Sequence, residues 1–420
     1  MRISLQASEL TSMDVLQGAI DSLGNEGGRV ELPAGEFELD RGIELRSNVA
    51  LVGQGRDTVL RKAPGRVYAL SGYHNYGMCD VPLMHTEGLV PGMTVAIRDD
   101  RHGGFFETFA RITWVDGTWV GLDQGLHADY DAGDHPVLVT AFPLIFGRGV
   151  TNVSVANVTL DGNRAAQPAG IGACRGAALY FIQSHGVTVS DVVERDFAGE
   201  GLGFQMSSRV AITDCAFDDN AGNGFHPGAG STAATFDNCS AKGNGAAGFF
   251  FCVRANHISV RACRFTGNAG PGVSVGTRDS HNLLEASVMT GNGGSGILFR
   301  ETRRPVEVHD VVVRGCRIQD NARSAGAGQI VVLGEAHTLA FEGNVVGGTP
   351  ERETAGFYIN PSARDLWLND NAIMGCSPVV VGDPGAFVAR SGVIDAGIDG
   401  VQPVHFRHLD VAAVAGDGEV

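Results

Sequence analysis

Between Val210 and Arg300 the chain repeats itself at one fixed interval, and few folds can accommodate such a sequence. Cys215, Cys239 and Cys263 recur at that interval, with Ser287 at the next step. Asn220, Asn244, Asn268 and Asn292 form a second series, and Gly224, Gly248, Gly272 and Gly296 a third. Each of these glycines opens a short β-prone run (GFHPG, GFFFC, GVSVG, GILFR), and a further strand ends at each Cys or Ser. A unit this short cannot bury an apolar face alone, whereas units stacked coil upon coil share one continuous core. The pattern predicts an all-β fold, a right-handed parallel β-helix. Its cysteines read as an interior stack of small hydrophobes rather than a metal site. Its Asn and Gly residues read as left-handed corner positions.

Composition fits a chain of many tight turns. Glycine supplies 60 of 420 residues, about twice its average usage, without collagen spacing. A charged fraction of 19% beside 43% hydrophobic residues indicates a globular chain. The net charge of −16 argues against nucleic acid or an anionic membrane as partner. The eight cysteines form no CxxC pair and no His/Cys ligand spacing, so no metal and no cofactor are expected. No basic-then-apolar segment follows Met1 and no long apolar run occurs. That predicts neither a signal peptide nor a membrane span, hence a cytoplasmic location, or a secreted one if a leader is missing from the sequence.

Read in order, residues 1–65 suggest a capping helix over Ser12 to Leu23, with Leu16, Ala19, Ile20 and Leu23 on one face, followed by the first coils. An open solenoid end exposes backbone and core, so a helical plug is expected there. Between 66 and 146 the rhythm breaks into longer strands with hairpin signals such as Asp116-Gly117, predicting a β-rich, sandwich-like insertion. Coils of the same period, about 24, return over 147–390, and 391–420 reads as a capping tail. The step from Asn292 to Asn321 is longer than the period, which places an inserted loop near Thr302 to Pro305 or Arg323 to Gly328.

A functional site on such a fold is assembled from different coils at one register. Two residues after the leading glycines come His226, Phe250, Ser274 and Leu298; two further come Gln205, Gly228, Cys252, Gly276 and Arg300; two further again come Arg254, Arg278 and Thr302. An aromatic face suits a sugar ring, and Arg offers paired donors to carboxylate or hydroxyl groups. His226 can move a proton near neutrality. Asp279 and Glu301 form a candidate carboxylate pair, although both fall at nominally inward parity. The expected set is Glu301, Asp279 and His226 as catalytic groups, with Arg254, Arg278, Arg300, Phe250, Gln205 and Asn282 binding substrate.

The stretches GFHPGAGS, FFFCVR, VGTRDSHN and LFRE resemble a bacterial subgroup of right-handed β-helix proteins in the pectate-lyase-like, carbohydrate-active superfamily. On that resemblance His226, Ser231, Arg254, Asp279, Asn282, Arg300 and Glu301 are the matching positions. The departures are Ala229 for a Ser, Val253 for a Trp, and Thr277 and His281 where the pattern has His and Asp. The resemblance implies a carbohydrate-active enzyme with a poly- or oligosaccharide substrate. Hydrolysis of a glycosidic bond is the first expectation. The second is a polysaccharide lyase or C5-epimerase acting on a uronate-containing glycan, and the third a non-catalytic glycan-binding solenoid. Assembly into a homo-oligomer is left open.

Overall fold

The structure is a computed structural model that describes residues 1–10, 12–103, 106–168, 176–350, 352–382, 386–391 and 394–395. Most of the expected tail at 391–420 and Cys174 lie outside the described residues. The chain forms two compact units: Met1–Ile182 with Asp191–Gly203, and Gln183–Ser190 with Phe204–Val420.

In the first unit the helix spans Met13–Ser22 and buries Met13, Leu16 and Ile20, with Leu23 buried beside them. Gln17 donates to the Glu44 carbonyl and accepts from the Glu44 amide, at 2.9 and 3.0 Å. Glu44 belongs to Ile43–Glu44, a strand at the end of its sheet, so the helix satisfies an otherwise open backbone edge. Ser12 precedes the helix without a side-chain cap bond. The parallel coils are interrupted once. Arg29 pairs with Ala50 on the next coil, but Ala50 pairs with Ser154, several coil lengths further along the chain. The intervening chain forms six antiparallel strands in one sheet, running from Val67–Ala69 to Asp80–Pro82 across its order. A bulge between Ile112 and Trp114 bends the longest strand, Thr108–Asp116. The outermost strands then meet: Ser71 donates to the Pro82 carbonyl at 2.9 Å and Met84 to Ala69 at 2.9 Å. The insertion is therefore a closed barrel around Tyr68, Val81, Val95, Ile112, Val120 and Leu138, rather than two facing sheets.

In the second unit three columns of parallel strands repeat. One contains Ser208–Thr213, Thr232–Asp237, Asn256–Arg261 and Ser280–Glu285, and continues through His309–Arg314. The cysteine series is interior: Cys215, Cys239, Cys263 and Cys316 are buried, with Ser287 in the same column. Each of the first three thiols faces a carbonyl of the preceding coil, as Cys263 faces Phe236 O at 3.5 Å. The asparagines also turn inward, which corrects the corner assignment. The left-handed residues are their predecessors, Asp219, Gly243, Gly267 and Gly291, with φ of 57–70°. Asn244, Asn268, Asn292 and Asn321 stack as a buried amide ladder in which each Nδ2 donates to the next Oδ1 at 2.7–2.9 Å. Gly248 fits beneath that ladder because a Cβ there would lie 2.8 Å from the Asn268 amide.

The extra residues of the step from Asn292 to Asn321 fall at the first of the two expected places, and a separate enlargement beyond Asn321 falls at the second. Val275 pairs with Phe299 and Ser280 with His309, so the short connection from Gly276 to Asp279 is enlarged to the stretch from Arg300 to Val308. Met289 pairs with Ile318 but Ile297 with Ile330, so the offset between coils grows again across Asp320 to Gly328.

Candidate functional site

The third strand column of the second unit carries the candidate residues. Phe225, Phe249, Val273 and Ile297 point into the core, so their successors His226, Phe250, Ser274 and Leu298 lie on the outer side of the strands, where His226 (5% exposed) and Ser274 are nevertheless buried and Phe250 and Leu298 are half-buried. The His226 ring stands edge-on to Phe250 with centroids 5.0 Å apart, and the Arg300 guanidinium lies 4.2 Å over the same ring. Arg300 Nη1 donates to Ser274 Oγ at 2.6 Å and Nη2 to the Phe251 carbonyl at 2.8 Å. Asp279 Oδ2 lies 3.5 Å from the same Nη2. The guanidinium occupies space left by Gly276, where any Cβ would collide with it. One edge of this clamped cation stays in solvent, the side chain being 26% exposed.

Asp279 is fully buried, with Oδ1 accepting from Ala255 N at 2.9 Å and Oδ2 from Gly276 N at 2.7 Å. Burial pushes its carboxyl up to about 7, and those two amides with the charges of Arg300 and His226 only partly oppose this. Burial also lowers Arg300, against the pull of Asp279 and Cys252. At Cys252, half-buried on the coil after His226, burial raises the thiol. Its hydrogen bond to His226 and the charge of that ring outweigh burial and leave the thiol below its ordinary value. Five side chains (His226, Phe250, Cys252, Asp279, Arg300) therefore form one cluster drawn from four successive coils.

The remaining predicted residues sit elsewhere. Arg254 and Arg278 are exposed on the following corner, both left-handed with φ of 61° and 56°. Glu301 is exposed in the enlarged connection and pairs with Arg303 at 2.9 Å. Glu301 is thus in solvent, whereas Asp279 is enclosed. Gln205 is buried at 3% exposure over Gly228, and its Nε2 has no hydrogen-bond partner. Asn282 is an interior pin: it accepts from Ile258 N at 3.0 Å and donates to Ala255 O at 2.9 Å. Sequence reasoning missed Cys252 as a partner of His226, Ser274 as the support of Arg300, and Gly276 as the gap that admits it. Cys252 and Gly276 share the register of Arg300, and Ser274 stands at that of His226 and Phe250, which was the available signal.

The chain matches the family model described as the right-handed β-helix region over residues 144–257 and 250–398. No curated protein sequence matches it significantly. Among solved structures it is similar to the A-module of the Azotobacter vinelandii mannuronan C-5 epimerase AlgE6, at 19% identity and a TM-score of 0.62, over 91% of this chain and 94% of that one. It is also similar to a tailspike protein of E. coli bacteriophage HK620, at 13% identity and a TM-score of 0.58, over 94% and 67% of the two chains. The catalytic domain of a GH87 α-1,3-glucanase in complex with tetrasaccharides gives 13% identity and a TM-score of 0.50, over 94% and 66%. At these identities the similarity is one of fold. Among the described residues no helix is long and apolar enough to cross a membrane.

Proposed function

Because the chain belongs to the right-handed β-helix family, we propose that it is a carbohydrate-active enzyme acting on a uronate-containing glycan. The observation that carries this reading is Arg300, clamped over Phe250 by Ser274, Phe251 and Asp279 with one edge open. An aromatic ring beside a fixed guanidinium suits a sugar that bears a carboxylate. The exposed Arg254 and Arg278 extend the positive surface along the adjacent corner. The structural neighbours that are carbohydrate enzymes, an epimerase and a glucanase, support a carbohydrate as substrate.

Arg300 draws charge from the uronate carboxylate, which makes the C5 proton acidic, and His226 accepts that proton. The electron pair left at C5 then has two outlets. It expels the O4 leaving group, which takes a proton from solvent, or it is reprotonated on the opposite ring face. The first outcome is elimination and the second epimerisation. Hydrolysis by Asp279 and Glu301 has less support, because two carboxylates must both reach the glycosidic bond and Asp279 is enclosed.

The test is a screen of uronate-containing and neutral glycans, following ultraviolet absorbance, reducing ends and, by NMR, C5 configuration. Turnover is expected on uronate glycans only, with new absorbance or inverted C5, and is lost in His226→Gln and Arg300→Ala. Reducing ends without absorbance, abolished by Glu301→Gln, would replace this reading with hydrolysis. Ligand binding without turnover of any glycan would replace it with a binding solenoid.

A further inference from the structure

A second cluster lies on the other side of the same corner, at the start of the long-strand column. His257, His281, His309 and His337 occupy four successive coils there. Their rings follow one another at centroid distances of 4.9, 5.5 and 5.2 Å, close to the roughly 4.8 Å spacing of stacked strands. His257 and His281 are left-handed corner residues, and Asp310 holds the same corner one coil later, with φ of 55°, 55° and 53°. In the enlarged coil the histidine thus moves back one position, to His309, and an aspartate takes its place.

The substitution sets a carboxylate between two imidazoles. Asp310 Oδ2 is 2.7 Å from His309 Nδ1 and 3.7 Å from His281 Nδ1. One donor atom from each of His281, His309 and Asp310 lies within 4.8 Å of the other two. Bonds of about 2.0–2.2 Å to a tetrahedral ion require ligand atoms about 3.3 Å apart, so small side-chain rotations suffice. His281 and Asp310 are partly open to solvent, at 48% and 39%, which leaves a face for water or another ligand. His309 is braced from behind by His337, whose ring stacks on it with an interplanar angle of 8°. His337 in turn bonds Thr338 at 2.8 Å and lies 3.7 Å from Glu307. Orientation of a ligand ring by such neighbours is what a metal site needs.

We propose that His281, His309 and Asp310 bind a divalent first-row transition metal of zinc type, as a two-histidine, one-carboxylate site that staples successive coils. Two nitrogen donors favour such ions over magnesium or calcium, which take oxygen. The site is independent of the glycan reading, since none of its three residues belongs to the Arg300 cluster.

The experiment is calorimetric titration of untagged, chelator-stripped protein with Zn²⁺ and separately with Mg²⁺, plus thermal unfolding with and without Zn²⁺. His281→Asn and Asp310→Asn are the variants, because Asn tolerates left-handed backbone and keeps the corner intact. One equivalent of Zn²⁺ is expected to bind and raise Tm. Either substitution should weaken binding at least tenfold and remove the shift, with the metal-free Tm unchanged. Absence of saturable Zn²⁺ binding would overturn the site. So would Mg²⁺ binding as tightly as Zn²⁺, or affinity unaltered in both variants.

Discussion

Gly276 and Arg300 show how a residue with no side chain can determine a site. The guanidinium lies where a Cβ at 276 would be, so Gly276→Ala displaces Arg300 without removing any charge. That substitution is expected to weaken uronate-glycan binding at least tenfold by calorimetry while Tm stays within a few degrees. Arg300→Lys should do the same, since an ammonium cannot reproduce the fork held by Ser274 and Phe251. Wild-type affinity in Gly276→Ala would dismiss the subsite. Lys62, in the first unit, is buried with its amine 4.2 Å from the Phe142 ring and 5.2 Å from Phe197. Desolvation lowers it from 10.5 to about 7. The folded state then holds fewer protons than the unfolded state between those values, so stability rises with pH across that window and is lost as pH falls through it. Lys62→Met should abolish that slope and add roughly 2–4 kcal/mol at pH 7 in urea unfolding. At this scale the sequence showed His226 and Phe250 at one outward register and the arginines at the next two along the same strands. It did not show burial, which encloses Asp279 and leaves Glu301 outside with Arg303.

The coil is the element, and the asparagine ladder is its internal fastening. Asn268 Oδ1 accepts from both the amide and the side chain of Asn244, and its own Nδ2 donates to the Ala241 carbonyl at 3.2 Å. Asn268→Ala strands the Asn244 backbone amide and removes one of the two acceptors of the Asn244 side chain, which keeps the Phe217 carbonyl. At about 1–3 kcal/mol for a stranded buried donor, a loss of about 2–4 kcal/mol is expected. Cys263→Ser should cost less than about 1 kcal/mol, because Ser287 already occupies the next place in that column and donates to the Glu285 carbonyl. Denaturant unfolding of the two variants checks the contrast. The repeat period made the ladders visible, but not which direction the asparagines face. Asn suits a left-handed corner and a buried amide stack equally well by propensity, and the preceding Gly or Asp took the corner. The four-histidine corner escaped notice for a related reason. His257 and His281 stand one period apart, but the enlarged connection in the next coil shifts His309 off that period. The barrel was legible as hairpins, whereas its closure depends on the bulge at Ile112 and on bonds between strands distant in sequence.

For a whole solenoid unit, stability is close to a sum of coils and the interfaces between them. Removing one full period, Thr232 to Ala255, joins Ser231 to Asn256, and Ser208 then meets Asn256 as it met Thr232. That deletion is expected to remain folded, with native β-type circular dichroism and a modestly lower Tm. Deleting only half a period, Thr232 to Gly243, should unfold the unit, because every interior column would meet the wrong partner. Equal behaviour of the two deletions would refute register as the organising constraint. The sequence by itself determined the parallel β-helix, its period, its interior cysteine column and the place of its enlarged coils, because a stacked fold repeats its environment and so must repeat its residues. Only the tertiary structure decided that Arg300 is clamped above Phe250, that Asp279 is enclosed and Glu301 is not, and that two histidines and an aspartate share a corner. Those relations run between coils, across the stacking direction, and a one-dimensional period records which residues are neighbours without recording what else covers them.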